Sequence, residues 1–126
     1  MVYEIEGLEV KCFDGPGYKE QIDYDGWRVA IANYKPELRK ENLTFLERHL
    51  DTDEVFILIE GTAGLLLGNE KQECMLEKGR LYNVKCGIWH RIYMSPGTKV
   101  VIVENADTGT HNTEYLEINA LGNITG

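Results

Sequence analysis

Glycine-containing turn signals recur along this chain at short intervals, and strands rather than helices fit between them. The signals are Asp14-Gly15-Pro16-Gly17, Asp25-Gly26, Glu60-Gly61, Gly68-Asn69, Lys78-Gly79, Cys86-Gly87, Pro96-Gly97 and Thr108-Gly109. The intervening segments are rich in β-branched and aromatic residues, which favour strands. The clearest strands are predicted at positions 27–31, 55–59, 89–93 and 99–103. The pattern predicts an all-β sandwich or barrel.

Local signals refine this prediction. Gly68-Asn69 lies between two apolar segments and predicts a tight hairpin. Pro96-Gly97 places a fixed φ before a residue that accepts positive φ, as a type II turn requires. The charged stretch 35–42 predicts a surface loop that is at most briefly helical, and residues 119–126 predict a frayed tail.

The size and composition are those of one globular domain over residues 1–126. A chain of 126 residues with 43% hydrophobic residues can bury a core without disulfides or a structural metal, so any metal would serve function. Its 21 acidic and 13 basic residues give a net charge of -8, which repels phosphate backbones and anionic lipids. We therefore expect no nucleic-acid and no membrane partner.

Two further features predict a cytoplasmic protein. The chain shows no basic leader followed by an apolar stretch, and its apolar runs are far shorter than the ~18 residues that a membrane helix requires. The cysteines Cys12, Cys74 and Cys86 are odd in number and form no Cys-x-x-Cys pair. This usage is typical of thiols in a reducing compartment.

The strand predicted at 55–59 is apolar on both faces. Val55, Ile57 and Ile59 point to one side, and Phe56 and Leu58 point to the other. Such a strand is buried on both sides, by a neighbouring segment of the same chain or by another subunit. We expect a homodimer, and the intramolecular alternative stays open.

Carboxylate and imidazole side chains cluster around the start of that strand. Glu47 and His49 are two residues apart on a predicted strand, so they project from one face about 7 Å from each other. Residues 51–53 then turn the chain, and Glu54 opens the next strand near the point where the first one ended. His90 supplies another imidazole at the start of a later strand.

These residues are spaced as in the cupin superfamily, which the chain resembles. The usual first motif is G-x5-H-x-H-x3,4-E-x6-G, matched in its second half within residues 47–61, and the usual second motif is G-x5-P-x-G-x2-H-x3-N, matched within residues 79–94. The matching residues are His49, Glu54, Gly61, Gly79, Gly87 and His90. The resemblance implies a double-stranded β-helix, or cupin jelly-roll barrel, with a divalent metal inside it. Carried over to this chain, the metal ligands are Glu47, His49, Glu54 and His90.

The chain also departs from the motifs. Glu47 stands where the first motif has its leading histidine, Lys85 replaces the proline, and Met94 replaces the asparagine. Two carboxylates beside two neutral imidazoles repel each other, whereas a divalent cation neutralises both, which favours a retained Zn, Fe, Mn or Ni ion. The alternative is a cavity without metal, in which Glu47 faces solvent or pairs with Arg48 or Lys85.

Apolar side chains are expected to line the rest of the cavity. Strand alternation sends Ile92 and Met94 to the same face as His90 and turns Arg91 away from it. The expected lining is Phe45, Phe56, Ile92 and Met94; the alternative is that each of these residues simply fills the core. A mostly apolar pocket with a few polar groups is typical of a small-molecule ligand.

Two functions fit this sequence. One is a metal-dependent enzyme acting on a small polar metabolite, such as a sugar or a hydroxy or keto acid, by isomerisation, a lyase step or dioxygenation, with Glu47 or Glu54 moving a proton. The other is a non-catalytic module that binds a small molecule with or without metal. The motifs do not choose between them, because one barrel supports many chemistries.

Overall fold

The segments between the turns form ten strands, which pair antiparallel. The computed structural model describes residues 5–118. The strands are Gly17–Tyr24 (β1), Trp27–Asn33 (β2), Phe45–His49 (β3), Glu54–Glu60 (β4), Ala63–Leu67 (β5), Gln72–Met75 (β6), Tyr82–Val84 (β7), His90–Met94 (β8), Lys99–Asn105 (β9) and Thr113–Glu117 (β10). Three-residue 3-10 helices lie at Pro36–Leu38, Lys40–Asn42 and Thr110–Asn112. The all-β prediction is confirmed.

The strands form two five-stranded sheets. The first has the order β1-β2-β9-β4-β7 and the second the order β10-β3-β8-β5-β6. The core lies between them, because inward residues of both sheets pack into one apolar cluster that includes Ala30, Phe56, Leu65, Ile92 and Val100. Since β3 and β4 are consecutive but belong to different sheets, the chain crosses between the sheets at residues 50–53.

The predicted turns are present, with local differences. Gly97 has φ +79° after Pro96, and the β5–β6 hairpin places Gly68 at φ +73° and Lys71 at φ +52°. The loop at 35–42 contains two of the 3-10 helices, yet Leu38 within it is only 5% exposed. This loop therefore contributes to the core as well as to the surface.

Gly61, at the end of the first motif, is required by a close approach of the backbone. Its φ is +85°, and a Cβ there would overlap the Thr98 side chain and lie 2.5 Å from the Thr98 Cα. Any larger residue at this position would push the start of β9 away from the end of β4.

The two faces of β4 differ in burial. Phe56 and Leu58 point inward and are 2% and 5% exposed, whereas Val55 and Ile57 are half-buried and Ile59 is 46% exposed. The described residues thus cover the outer face of β4 only in part. The homodimer predicted from this strand stays a prediction.

Other predictions concern the chain as a whole. Cys12, Cys74 and Cys86 are all free thiols. No helix among residues 5–118 is long and apolar enough to cross a bilayer. The tail predicted at residues 119–126 lies outside the described residues.

Candidate metal centre

Strand ends from both sheets meet at one point of the interior. His49 ends β3 in the second sheet, and Glu54 begins β4 in the first sheet after the crossing at residues 50–53. Glu47 on β3 lies directly opposite His90 on the neighbouring strand β8. The short crossing and this cross-strand pair together bring the carboxylates and imidazoles into one site.

Asp53 holds the crossing in place. Its carboxylate accepts hydrogen bonds from Asn83 Nδ2 at 3.0 Å and from the backbone N–H of Cys86 at 2.7 Å. The backbone N–H of Gly87 donates to the carbonyl of His49 at 2.8 Å. These bonds connect the crossing to the segment that leads into β8, so they fix the two sides of the site relative to each other.

The structure brings the four predicted metal ligands close together. One potential ligand atom from each of Glu47, His49, Glu54 and His90 lies within 4.8 Å of the others. The Nε2 atoms of His49 and His90 are 3.2 Å and 2.7 Å from Glu54 Oε1. The histidines and Glu54 are buried, whereas Glu47 is half-buried at the cavity wall. The cluster is compact enough for one ion to contact all four side chains.

The orientation of His90 tests whether these residues fit a metal. Its Nδ1 lies 2.9 Å from the carbonyl oxygen of Ile88, and because a carbonyl only accepts, Nδ1 carries a proton. A neutral His90 then points the lone pair of Nε2 at the Glu54 carboxylate 2.7 Å away. Two lone pairs at that distance need a cation, which is either a second proton or a metal ion. A histidine that donates its other N–H to a backbone carbonyl is the usual metal-ligand arrangement, so the residues fit a divalent ion.

His49 is also fixed by a hydrogen bond at the ring nitrogen that faces away from Glu54. Its Nδ1 lies 2.9 Å from Thr113 Oγ1 on β10, which leaves Nε2 facing Glu54. The ring also packs edge-on against His90, with 5.3 Å between the ring centroids. Both imidazoles are therefore fixed before any ion arrives.

Glu47 has neither of the partners that the metal-free alternative assigned to it. Arg48 pairs instead with Glu114, at 2.6 Å, and the Lys85 ammonium lies 4.0 Å from Asp53. No described residue forms a hydrogen bond or an ion pair with the Glu47 carboxylate. Its oxygens are thus available to an ion or a ligand.

The electrostatics of the metal-free cluster keep Glu54 ionised. Burial raises the pKa of Glu54, but the hydrogen bonds from His49 and His90 outweigh burial and lower it to about 2. Burial likewise lowers the pKa of His49, and the hydrogen bond and charge of Glu54 outweigh it, so the pKa of His49 is raised above its ordinary value. Glu54 is therefore charged at every pH near neutrality and is a poor proton donor.

Glu104 is an acidic residue of the cavity that the sequence reasoning missed. It lies on β9, is 6% exposed, and accepts a hydrogen bond from the Tyr18 hydroxyl at 2.6 Å. Burial and the charge of Glu54 raise the pKa of Glu104 to about 7. The available signal was strand alternation, because Glu104 shares the inward face of β9 with Val100 and Ile102.

Arg28 is a second missed residue, and strand alternation would also have found it. It lies on the inward face of β2 and is 7% exposed. Its guanidinium donates to the backbone oxygens of Ala106 and Thr108, and it lies 3.5 Å from Glu104 and 3.3 Å from Glu20. The donors of Arg28 are occupied by these neighbours.

The site opens into a cavity of about 330 Å³ between the sheets. Phe56 and Ile92 line it. Met94 is 3% exposed and packs in the core cluster rather than at the cavity wall. Phe45 lines a separate cleft beside Tyr115, because its ring packs edge-on against the Tyr115 ring with 5.4 Å between centroids.

The expectation that Arg91 turns away from the cavity is wrong. Arg91 lines the cavity, and its guanidinium carbon lies 4.3 Å from the centroid of the Phe45 ring. The ladder between β3 and β8 consists of the pair Glu47 and His90. Because β3 and β8 pair at this one position, the alternation of side chains along β8 does not keep the long Arg91 side chain on the outer face of the sheet.

The two antiparallel sheets and the cavity between them have the cupin fold, as the similarity to solved structures of that fold shows. No protein-family model matches the chain, and no curated protein matches it in sequence. The fold is therefore recognised from solved structures.

Three of these structures show the extent of the similarity. A cupin-2 domain containing protein from Shewanella frigidimarina is 22% identical, with a TM-score of 0.58 over 74% of this chain and 84% of that protein. Pac13 from Streptomyces, described as a nucleoside dehydratase, is 12% identical, with a TM-score of 0.63 over 86% of this chain and 87% of Pac13. KdgF from Halomonas sp. is 12% identical, with a TM-score of 0.57 over 75% of this chain and 81% of KdgF.

Proposed function

We propose that this protein holds a divalent metal ion on Glu47, His49, Glu54 and His90 and acts on a small polar metabolite in the adjoining cavity. The observation that carries the proposal is the orientation of His90. Its Nδ1 donates to the Ile88 carbonyl while its Nε2 faces the Glu54 carboxylate at 2.7 Å, an arrangement that a divalent cation satisfies. Mixed imidazole and carboxylate donors suit Zn, Fe, Mn or Ni.

The cavity supports a small ligand, such as a sugar or a hydroxy or keto acid. Its volume of about 330 Å³ is at the small end of the range for ligand sites. Phe56, Ile92 and Ile102 give it apolar walls, and the Glu47 carboxylate faces into it from the metal side. A bound metal ion would polarise a carbonyl or hydroxyl oxygen of the metabolite.

Proton transfer is best assigned to Glu47. Glu54 is engaged by both histidines and stays ionised, so it positions the imidazoles rather than moving a proton. The Glu47 carboxylate lines the cavity and has no hydrogen-bond partner among the described residues, so the oxygen that does not bind the ion is free to take a proton from a bound metabolite.

The class of reaction is proposed from this geometry, with the fold as background. A metal-polarised oxygen beside the unbound oxygen of the Glu47 carboxylate suits proton abstraction next to a carbonyl, which begins both isomerisations and eliminations. Pac13, one of the proteins with the same fold, is described as a dehydratase, and dehydration is an elimination. We therefore place isomerase and lyase reactions ahead of dioxygenation.

Elemental analysis of the purified protein tests the metal. Protein prepared without added metal should contain close to one equivalent of a divalent transition metal, and His49→Ala and His90→Ala should each lose it. His111→Ala is the matched control, because His111 is exposed on a 3-10 helix outside the cluster. A parent protein without metal, or variants that keep it, would refute the ligand set.

A second measurement separates an enzyme from a binding module. The metal-loaded protein is incubated with a panel of sugars and of hydroxy and keto acids, and products are followed by NMR. Turnover that Glu47→Gln abolishes supports the enzyme. Binding without turnover across the panel contradicts it and identifies a non-catalytic module.

A further inference from the structure

Two arginines reach the cavity, and they differ in how their donors are used. Arg28 is surrounded by carboxylates and carbonyl oxygens that accept from it. Arg91 has no such partner: its Nε is fully buried and unsatisfied, and no described residue forms a hydrogen bond or an ion pair with its guanidinium. The side chain as a whole is half-buried, and leaving its buried Nε without an acceptor is costly, so the guanidinium is available to an anion that the described residues do not supply.

The guanidinium of Arg91 is also fixed in orientation. Its carbon lies 4.3 Å from the centroid of the Phe45 ring, and the Phe45 ring is braced edge-on by Tyr115. An arginine stacked on an aromatic ring keeps its N–H donors in the plane of the group, at the edge that the ring does not cover. That edge matches the geometry of a carboxylate.

The charges around the site point to the same ligand. Arg91 lines the same cavity as Glu47 and Glu54, and both carboxylates attract its positive charge without forming a hydrogen bond or an ion pair with it. A divalent ion bound by the cluster would neutralise the charges of Glu47 and Glu54. The positive charge of Arg91 would then have no compensation from either residue, beside an ion that already attracts anionic oxygen.

We propose that Arg91 anchors a carboxylate of the substrate, so that the metabolite is a small organic acid rather than a neutral sugar. The proposal rests on the proposed function, since it places this carboxylate next to the atoms that the metal site acts on. The remaining oxygens of the acid would then face the metal and Glu47. Arg91 is in this sense a specificity-determining residue.

A pair of probes that differ in one group tests this. Pyruvate and hydroxyacetone share a carbon skeleton, but hydroxyacetone has a hydroxymethyl group in place of the carboxylate. Calorimetric titration of the zinc-loaded protein should show pyruvate binding at least about tenfold more tightly, as expected for a charge-assisted bond to arginine. Equal affinity for the two probes would overturn the proposal.

Variants assign the preference to Arg91. Arg91→Gln should weaken pyruvate binding about tenfold or more and leave hydroxyacetone binding unchanged. Arg91→Lys keeps the charge without the planar fork and should lose part of the preference, and it serves as the test if Arg91→Gln fails to fold. The matched control is Arg48→Gln, because Arg48 is also stacked on an aromatic ring, 4.5 Å from the centroid of Trp89, but does not line the cavity. A preference that survives in Arg91→Gln would overturn the proposal.

The metal content of the same samples separates this proposal from the proposed function. If the wild-type protein binds no zinc, the proposed metal site is wrong, and the titrations are repeated on the metal-free protein. A preference for pyruvate that is lost in Arg91→Gln then supports the anchor independently of the metal. No preference in the metal-free protein refutes the anchor as well.

Discussion

The metal-free and metal-loaded forms of this protein should respond to pH in opposite directions. In the metal-free form, burial lowers the pKa of His49, but the hydrogen bond and charge of Glu54 raise it above its ordinary value of 6.5. A raised histidine pKa gives stability that is present below pH 6.5 and is lost as the pH rises through the folded value. The metal-free protein should therefore become less stable from mildly acidic to alkaline pH.

Glu54 sets the acidic limit of this behaviour. Burial raises its pKa, but hydrogen bonds from His49 and His90 lower it from 4.5 to about 2. A lowered carboxyl pKa gives stability that is present above pH 4.5 and is lost as the pH falls toward the folded value. Burial and the charge of Glu54 raise the pKa of Glu104 from 4.5 to about 7, which makes stability fall as the pH rises above 4.5, so the metal-free protein should be most stable near pH 4.5.

The size of the effect follows from the same shift. A fall in the Glu54 pKa from 4.5 to about 2 corresponds to about 3 kcal/mol that favours the ionised form. Glu54→Gln removes that charge, so at pH 6 the metal-free variant should melt about 10 °C below the wild type, given the entropy of unfolding of a chain of this size. Glu114→Gln removes a charge that pairs with the partly exposed Arg48 guanidinium instead, and it should shift the melting temperature little.

Metal reverses the pH profile. Protons compete with the ion for the imidazoles, so the stabilisation by zinc should grow as the pH rises from 5 to 8. At 100 times the dissociation constant it amounts to about 2.7 kcal/mol. Thermal unfolding followed by circular dichroism, with chelator and with excess zinc, measures both curves. Superimposable profiles, or a Glu54→Gln variant as stable as the wild type, would refute the reasoning.

Further predictions concern residues outside the ligand set. Asp53→Ala removes the hydrogen bond between the crossing loop and the backbone of Cys86 and should weaken metal binding about tenfold, as measured by competition with a chromogenic chelator. Unchanged affinity would show that Asp53 is not needed to position the loop. Gly61→Ala forces a side chain against Thr98 at positive φ and should cost about 2 kcal/mol in urea unfolding, whereas a cost near zero would contradict the close approach. Ile57→Lys places a charge on the outer face of β4 and should halve the molar mass measured by light scattering; a monomeric wild type would contradict the predicted homodimer.

Sequence reasoning worked best where one physical rule dominated. The turn signals predicted the all-β fold because a turn residue with positive φ is usually glycine, as at Gly97, so closely spaced glycines mark the ends of short strands. Motif spacing placed His49 and Glu54 together because a five-residue separation spans one short crossing between sheets. The inward face of β4 followed from alternation, since Phe56 and Leu58 are both buried.

The misses came from charged residues on interior faces. Arg28 and Glu104 sit at inward positions of β2 and β9, and composition alone suggests that such residues are solvent-exposed. They are buried because they satisfy each other together with Tyr18, a partnership between distant segments that no local pattern reveals. Arg91 was missed for a different reason. The short pairing between β3 and β8 lets its side chain reach the cavity, and this pairing is not visible in the sequence.

The chain crossing between β3 and β4 means that the ligand set is divided between the two sheets. Glu54 belongs to the first sheet, and Glu47, His49 and His90 belong to the second. An ion bound by all four acts as a non-covalent cross-link between the two layers. Metal should therefore slow amide hydrogen exchange in strands of both sheets by suppressing their partial opening, and the protection should extend well beyond the residues that touch the ion.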